Sequence, residues 1–334
     1  MDKKQINKLV SYCVLGQKKL KTKLEKELIE LRGKERLQQH AGFLYSPGTH
    51  PVLLVAHLDT AHKALPTSLY IDESRSKGGD LWCKEGIGGD DRCGVYIIME
   101  IIKHLDCHVL YCEDEEVGAK GAKHFCASGI TPDVQFIVEF DRKGNNDAVF
   151  YGCENKEFTD FVTSFGFKEE WGTFSDISVI APHLEIAAVN LSSGYYQQHS
   201  PDEYIRLDDV ESIIERVIPL LSDVSKKYEY IESDYYGWYA PGKSKNGYDE
   251  VGNECDWCWC SADKIVEVAE FYLCKHCYNS PEGQIWLHEE FVGVDNFDDL
   301  PNVADCYNHD ARGDEYMKDA RAIRAISQQM IMGF

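Results

Sequence analysis

No stretch of this sequence is apolar for long enough to span a bilayer, and no basic start leads into an apolar segment of the secretory kind. A cytoplasmic location with no membrane partner is therefore expected. Bases are scarce: 35 Lys and Arg stand against 57 Asp and Glu, a formal charge of -22. A phosphate backbone would meet net repulsion, so nucleic acid is not the expected substrate. Internal repeats and long low-complexity runs are also lacking, which argues against solenoid arrays and extended disordered tracts. What is present is ordinary globular usage, 43% hydrophobic and 28% charged residues over 334 positions, enough for one sizeable core and a smaller appendage. The cysteines before residue 160, as in Tyr111-Cys112 and Phe125-Cys126, fall in apparent strands and helices and read as small buried hydrophobes rather than bridges.

Residues 5 to 32 read as one or two amphipathic helices. The run Pro51 to Ala56 has the length and content of a buried strand and ends in His57-Leu58-Asp59-Thr60. From residue 80 the pattern becomes strand, Gly-rich turn and helix, then a strand at Cys107 to Cys112, a helix at Gly121 to Ser128 and a strand at Val134 to Phe140. A further strand is expected at Leu184 to Leu191, and a closing helix from Leu207 to about Tyr228. Such alternation predicts a three-layer α/β sandwich around a mostly parallel central sheet, whose sites gather at the carboxyl ends of strands. The polar groups that follow Ala56, Cys112 and Phe140 lie at such ends.

These groups suit one chemistry. Water attacks an amide near neutral pH when divalent metal lowers its pKa and a free carboxylate takes its proton. His57 follows a strand, and Asp59, two residues on, can orient its imidazole. Asp90 and Asp91 come after Gly86-Ile87-Gly88-Gly89, where glycines permit a close approach to metal. Glu115 and Glu116 are adjacent acids, so a metal on one leaves the other as base. Asp141 ends a strand, with Glu139 on the same side as a rival, and His199 precedes Ser200-Pro201. Paired carboxylates alone would also suit glycoside hydrolysis, but that chemistry does not call for the two histidines.

The runs Leu53 to Thr60, Gly88 to Gly94 and Asp114 to Gly118, with His199-Ser200-Pro201, closely resemble the co-catalytic zinc exopeptidases. That clan includes bacterial aminopeptidases, tripeptidase T and carboxypeptidase G. The resemblance covers about residues 35 to 225. It implies a two-zinc site with His57, Asp90 and Asp141 on one ion and Asp90, Glu116 and His199 on the other. It also implies Glu115 as general base, Asp59 as support for His57, and a cis peptide between Asp90 and Asp91. Only 32 residues separate His57 from Asp90 and 57 separate Asp141 from His199, too few for the extra domain that many relatives insert. The implied activity is hydrolysis of an amide bond by an aminopeptidase of short peptides. The same kind of site also serves N-acyl amino acid and other small-amide hydrolases. Arg92, Arg142 and Lys143 are the bases that could meet a carboxylate-bearing substrate, and Tyr195 and Tyr196 could face an oxyanion, although packing is the commoner use of a tyrosine.

The expected catalytic domain is 1–232, followed by a linker at 233–252. Residues 253–280 hold Cys255-x-x-Cys258 and Cys274-x-x-Cys277, fifteen residues apart, the ligand spacing of a four-thiolate zinc ribbon. One structural zinc is therefore expected there, with a protein as the partner such a module could dock. Residues 281–334 form an acidic, partly helical segment. In a third reading the ribbon is an adaptor and the peptidase fold a non-catalytic scaffold; the presence of Glu115 argues against it.

Overall fold

The structure is a computed structural model describing residues 1–172 and 174–232, together with the backbone of two short strands beyond them. The chain divides into two compact units, Met1–Ser233 and Asp234–Phe334.

The first unit opens with helices α1 (Lys3–Cys13) and α2 (Gln17–Arg32). Asp2 and Gln5 close a capping box at the start of α1, and Leu20, Leu24 and Leu28 recur at helical spacing as the buried stripe of α2. There follow β1 (Gln38–His40), β2 (Phe43–Ser46), β3 (His50–His57), β4 (Tyr70–Asp72), β5 (Asp80–Trp82), α3 (Gly89–Ile101), β6 (Cys107–Cys112), α4 (Lys120–Ala127) and β7 (Phe136–Arg142). The unit continues through β8 (Asp147–Val149), α5 (Lys156–Thr163), β9 (Lys168–Glu169), α6 (Asp176–Leu184), β10 (Ala188–Ser192), β11 (Tyr195–Tyr196), β12 (Tyr204–Arg206) and α7 (Leu207–Ser222).

Eight strands form one sheet in the order β1-β2-β6-β3-β7-β10-β8-β9, and its middle, β6-β3-β7-β10, is parallel. Every residue of Val52 to Ala56 on β3 is 0% exposed, so both faces of the sheet are covered. The connection from β3 to β6 runs one way across the sheet, and those from β6 to β7 and β7 to β10 run the other. Right-handed crossovers then place α3 on one face and α4 and α6 on the opposite one. Consistent with this, α3 packs beside α1 and α7, and α4 packs beside α6. The expected three-layer α/β fold is present. The reversal of direction at β3 opens a crevice beyond the carboxyl ends of β3, β6 and β7.

A second sheet, β11-β12-β5-β4, is antiparallel throughout. One face aligns Tyr196, Tyr204, Trp82 and Tyr70 in cross-strand register, with Tyr196 on Tyr204 at 5.1 Å and Tyr70 on Trp82 at 5.2 Å between ring centroids. The other face sends Tyr195, Ile205 and Leu81 into the core. This sheet fixes the segments that lead to the Gly-rich loop and to His199.

The closing helix ends at Ser222, earlier than its apolar spacing suggests. Tyr228 instead joins the ring cluster of Phe136, Phe158 and Phe161, and its amide and carbonyl bond to Gln135 and Ala187. In the second unit β13 (Ile265–Val268) and β14 (Phe271–Cys274) pair antiparallel. Cys274 ends β14; Cys255, Cys258 and Cys277, and with them the proposed zinc ribbon, lie outside the described residues. Among the described residues no helix is long and apolar enough to cross a membrane.

Candidate metal centre

The ends of three parallel strands and two loops bring His57, Asp90, Glu116, Asp141 and His199 together. His57 closes β3, and its Nε2 lies 2.9 Å from Asp90 Oδ1 and 3.4 Å from Asp141 Oδ1. His199 Nε2 lies 3.1 Å from the other Asp90 oxygen and 3.0 Å from Glu116 Oε1. Asp90 thus offers one oxygen to each histidine and carboxylate pair. The backbone that achieves this is special: Gly88 takes a left-handed φ of +66°, and the Asp90–Asp91 peptide is cis, as the resemblance implied. His199 itself sits at φ +59° in an exposed loop.

Ligand atoms of His57, Asp90 and Glu116 all lie within 4.8 Å of one another, as do those of His57, Asp91 and Asp141. Asp91 is nevertheless the poorer donor, because its carboxylate already accepts from the amides of His57 and Gly94 at 3.3 and 2.9 Å. The choice between Asp141 and Glu139 is also visible. Glu139 is fully buried on β7 and accepts from Ser175 Oγ, whereas Asp141 reaches His57.

Asp59 ties two strand ends together. Its Oδ1 lies 3.2 Å from His57 Nδ1 and accepts from the Glu115 amide at 3.0 Å, and its Oδ2 accepts from the Glu116 amide at 3.1 Å. One carboxylate therefore faces the imidazole and holds the turn that presents both glutamates. Glu115 is buried beside Glu116. Burial, reinforced by Asp141, Asp176 and Glu116 against the opposing pull of His57, raises its carboxyl well above the usual range.

Other groups show the same excess of negative charge. Asp141 is pushed up to about 7 by burial and by Asp90. Burial also opposes the charge on Asp90, but hydrogen bonds from His199 and His57 outweigh it and hold that carboxyl below its ordinary value. His199 rises to about 11 through its bonds to Asp90 and Glu116. His57 rises too: burial lowers it, but Asp141, Asp59 and Asp90 prevail. Buried carboxylates in such excess call for a cation. The buried Glu116 Oε1 faces the His199 imidazole, and oxygen and imidazole donors are those a divalent ion takes. The donor set therefore fits a divalent metal.

Asn190, Glu203 and Gln17 support the site without any sequence signal, while Arg92, Tyr195 and Tyr196 are placed otherwise than as substrate contacts. Asn190, fully buried on β10, accepts from the Asp141 amide at 2.7 Å and donates to the Asp141 carbonyl at 3.2 Å. Glu203 accepts from the amides of Gly88 and Asp90. Arg92 is 1% exposed and is spent on the carbonyls of Asp59 (2.8 Å) and Leu15 (3.1 Å), so it is not available to a substrate carboxylate. Gln17 and Asp114 exchange two bonds, at 2.9 and 3.1 Å, so the turn between α1 and α2 grips both metal-side loops. Tyr195 donates to Asp141, and Tyr196 donates to Asp209 on α7, which engages its hydroxyl away from the cluster.

No protein-family model matches the sequence, and no curated protein does. Solved structures do match. Aminopeptidase PepT of Bacillus cereus is 14% identical with a TM-score of 0.52, the match covering 66% of this chain and 98% of that one. A tripeptidase of Staphylococcus aureus is 12% identical with a TM-score of 0.53, again over 66% of this chain and 98% of the other. Identities this low establish a shared fold. The class so defined is the zinc-exopeptidase-like three-layer α/β fold, carrying at its strand ends a cluster fit for divalent metal.

Proposed function

We propose that this protein is a metal-dependent hydrolase of amide bonds, an aminopeptidase acting on short peptides. The observation that carries the reading is Asp90, with each of its two oxygens set against a separate histidine and carboxylate pair. His57, Asp90 and Asp141 would hold one ion, and Asp90, Glu116 and His199 a second. Bound zinc would supply a more acidic water and a polarised scissile carbonyl. Glu115 stands free of the ligand pairs and is buried beside Glu116, the place for a general base that would take the water's proton and return it to the departing amine. Asp59 keeps His57 and the Glu115–Glu116 turn in register. Arg92 is buried and engaged, so the carboxylate-binding base that an N-acyl amino acid substrate would favour loses one of its three candidates. A structural zinc on Cys255, Cys258, Cys274 and Cys277 completes the proposal, giving three ions per chain.

The reading is tested with unblocked and N-acetylated aminoacyl-anilides and tripeptides, with zinc removed and restored. Unblocked substrates should be cut, and Glu115→Gln should lower kcat by roughly 10²–10⁴-fold while metal content holds. Cleavage confined to the acetylated set would transfer the protein to the N-acyl amide hydrolases. Cleavage of neither would leave the scaffold reading.

A further inference from the structure

We propose that Glu203, partnered by His62, is the positioning residue that holds Asp90 in its two-sided orientation. The inference rests on the metal reading above and adds two residues to it. Asp90 has to aim two oxygens in different directions from a loop rich in Gly86, Gly88 and Gly89, which by composition rotates freely. Asp90 and Asp91 depart from helical geometry inside the first turn of α3, so the helix alone does not fix them.

Glu203 supplies the restraint. Gly88 at φ +66° turns nearby amides to one side, and Glu203 takes two of them: Oε1 accepts from the Asp90 amide at 3.0 Å and Oε2 from the Gly88 amide at 3.0 Å. The same Oε2 meets His62 Nε2. Glu203 is 0% exposed, and a carboxylate so desolvated persists only when its oxygens are bonded. The three donors meet that need, and neither of its oxygens is left unpartnered. His62 is itself fixed, its ring lying against Gly86 where a Cβ would collide with it. From the other side the Asp91 carboxylate holds the amides of His57 and Gly94. The Asp90 peptide is thus pinned on both sides.

Register in the small sheet brings Glu203 to this place. Tyr204 pairs with Trp82 and Ile205 with Leu81, so the residue before β12 falls beside the loop that comes after β5. Glu203 touches neither metal nor substrate in this scheme; it acts through Asp90.

The test is Mn²⁺ binding to the full chain, monitored by loss of the free-ion paramagnetic resonance signal. Mn²⁺ prefers oxygen and imidazole donors and avoids thiolates, so the C-terminal cysteines stay out of the readout. Glu203→Gln keeps one acceptor oxygen and should weaken binding roughly 10–100-fold; Glu203→Ala should weaken it more, and His62→Gln about tenfold. Because Asp90 serves both ions, Glu203→Gln should also replace the spectrum of a coupled Mn²⁺ pair with that of isolated ions. A role confined to stability would lower the urea midpoint of the chelated protein and leave affinity and spectrum unchanged. That result overturns the proposal. His62→Gln and Glu203→Gln carry the test if Glu203→Ala does not fold. Wild-type protein that binds no Mn²⁺ refutes the metal centre itself, whereas variants that bind within threefold of wild type refute only the role of Glu203.

Discussion

Replacing Asp59 with Asn removes one acceptor from a carboxylate that accepts from two backbone amides and faces His57 Nδ1. Asn offers a single carbonyl oxygen, which can still face His57 Nδ1 and the Glu115 amide. Its amide nitrogen then stands opposite the Glu116 amide, donor against donor, where Oδ2 accepted at 3.1 Å. Leaving such a group unmet costs about 1–3 kcal/mol. The penalty falls on the turn that presents Glu116. At about 1.4 kcal/mol per decade, metal affinity should fall about 10–100-fold, the usual loss for a removed support of a metal ligand.

The assay is thermal unfolding of each variant with and without Mn²⁺. At about 100 times its Kd the ion stabilises wild type by about 2.7 kcal/mol. For a unit of this size that is a rise in Tm of roughly 5–11 °C. At the same concentration Asp59→Asn should retain about 0.4–1.4 kcal/mol, a rise of roughly 1–6 °C. Taking the difference within each variant removes any effect of the substitution on the metal-free fold. An undiminished rise in Asp59→Asn would refute the claim that this carboxylate organises the centre.

Two further outcomes are expected. At Gly94 an added Cβ would press on the Phe140 carbonyl and lie 2.5 Å from the Asp91 carboxylate oxygens, so Gly94→Ala should lower stability by about 1–3 kcal/mol in urea melts and weaken Mn²⁺ binding with it. Asp106 accepts from Arg36 at 2.7 and 2.8 Å and from Thr49; burial opposes its charge, but these bonds prevail and hold it below its ordinary value. Its contribution is present above the unfolded pKa of about 3.9 and vanishes as pH falls through the lower folded value. Wild type should therefore exceed Asp106→Asn in stability from urea melts at pH 7, by about 1 kcal/mol or less for a partly exposed pair, and the gap should close as the pH falls below the ordinary carboxylate range. A gap unchanged at low pH would show that the carboxylate's charge is not what stabilises.

His57, Glu116 and Asp141 were legible because each comes at or after the end of an apolar run that reads as a central strand, where parallel α/β sheets gather polar groups, whereas Asp90 and His199 were marked by the Gly-rich run and the Ser-Pro that flank them. Nothing comparable marks their supports. Glu203 meets Asp90 across 113 positions and His62 across 141, so nothing local distinguishes it from the many acids of a solvated surface. Asn190 looks like one polar residue in an apolar strand, and only the pairing of β10 with β7 reveals its bonds to Asp141. The small sheet leaves no mark because strands of two and three residues are too short for alternation to register. Helix α6 contains Pro182 and ends at Leu184, so its last turn blends into the apolar run before β10. Arg92 misleads for a different reason: its position beside Asp91 suggests a substrate contact, yet burial turns its guanidinium toward the backbone.

The grip of the α1–α2 turn on the Asp59 carbonyl, through Arg92, and on Asp114 has a mechanical corollary. The amino-terminal helix pair works as a bolt across two loops of the candidate centre without contributing a single proposed ligand. Drawing that bolt, by fraying or by cutting the chain near Gly16, would disarm the centre while the strands beneath it still stood.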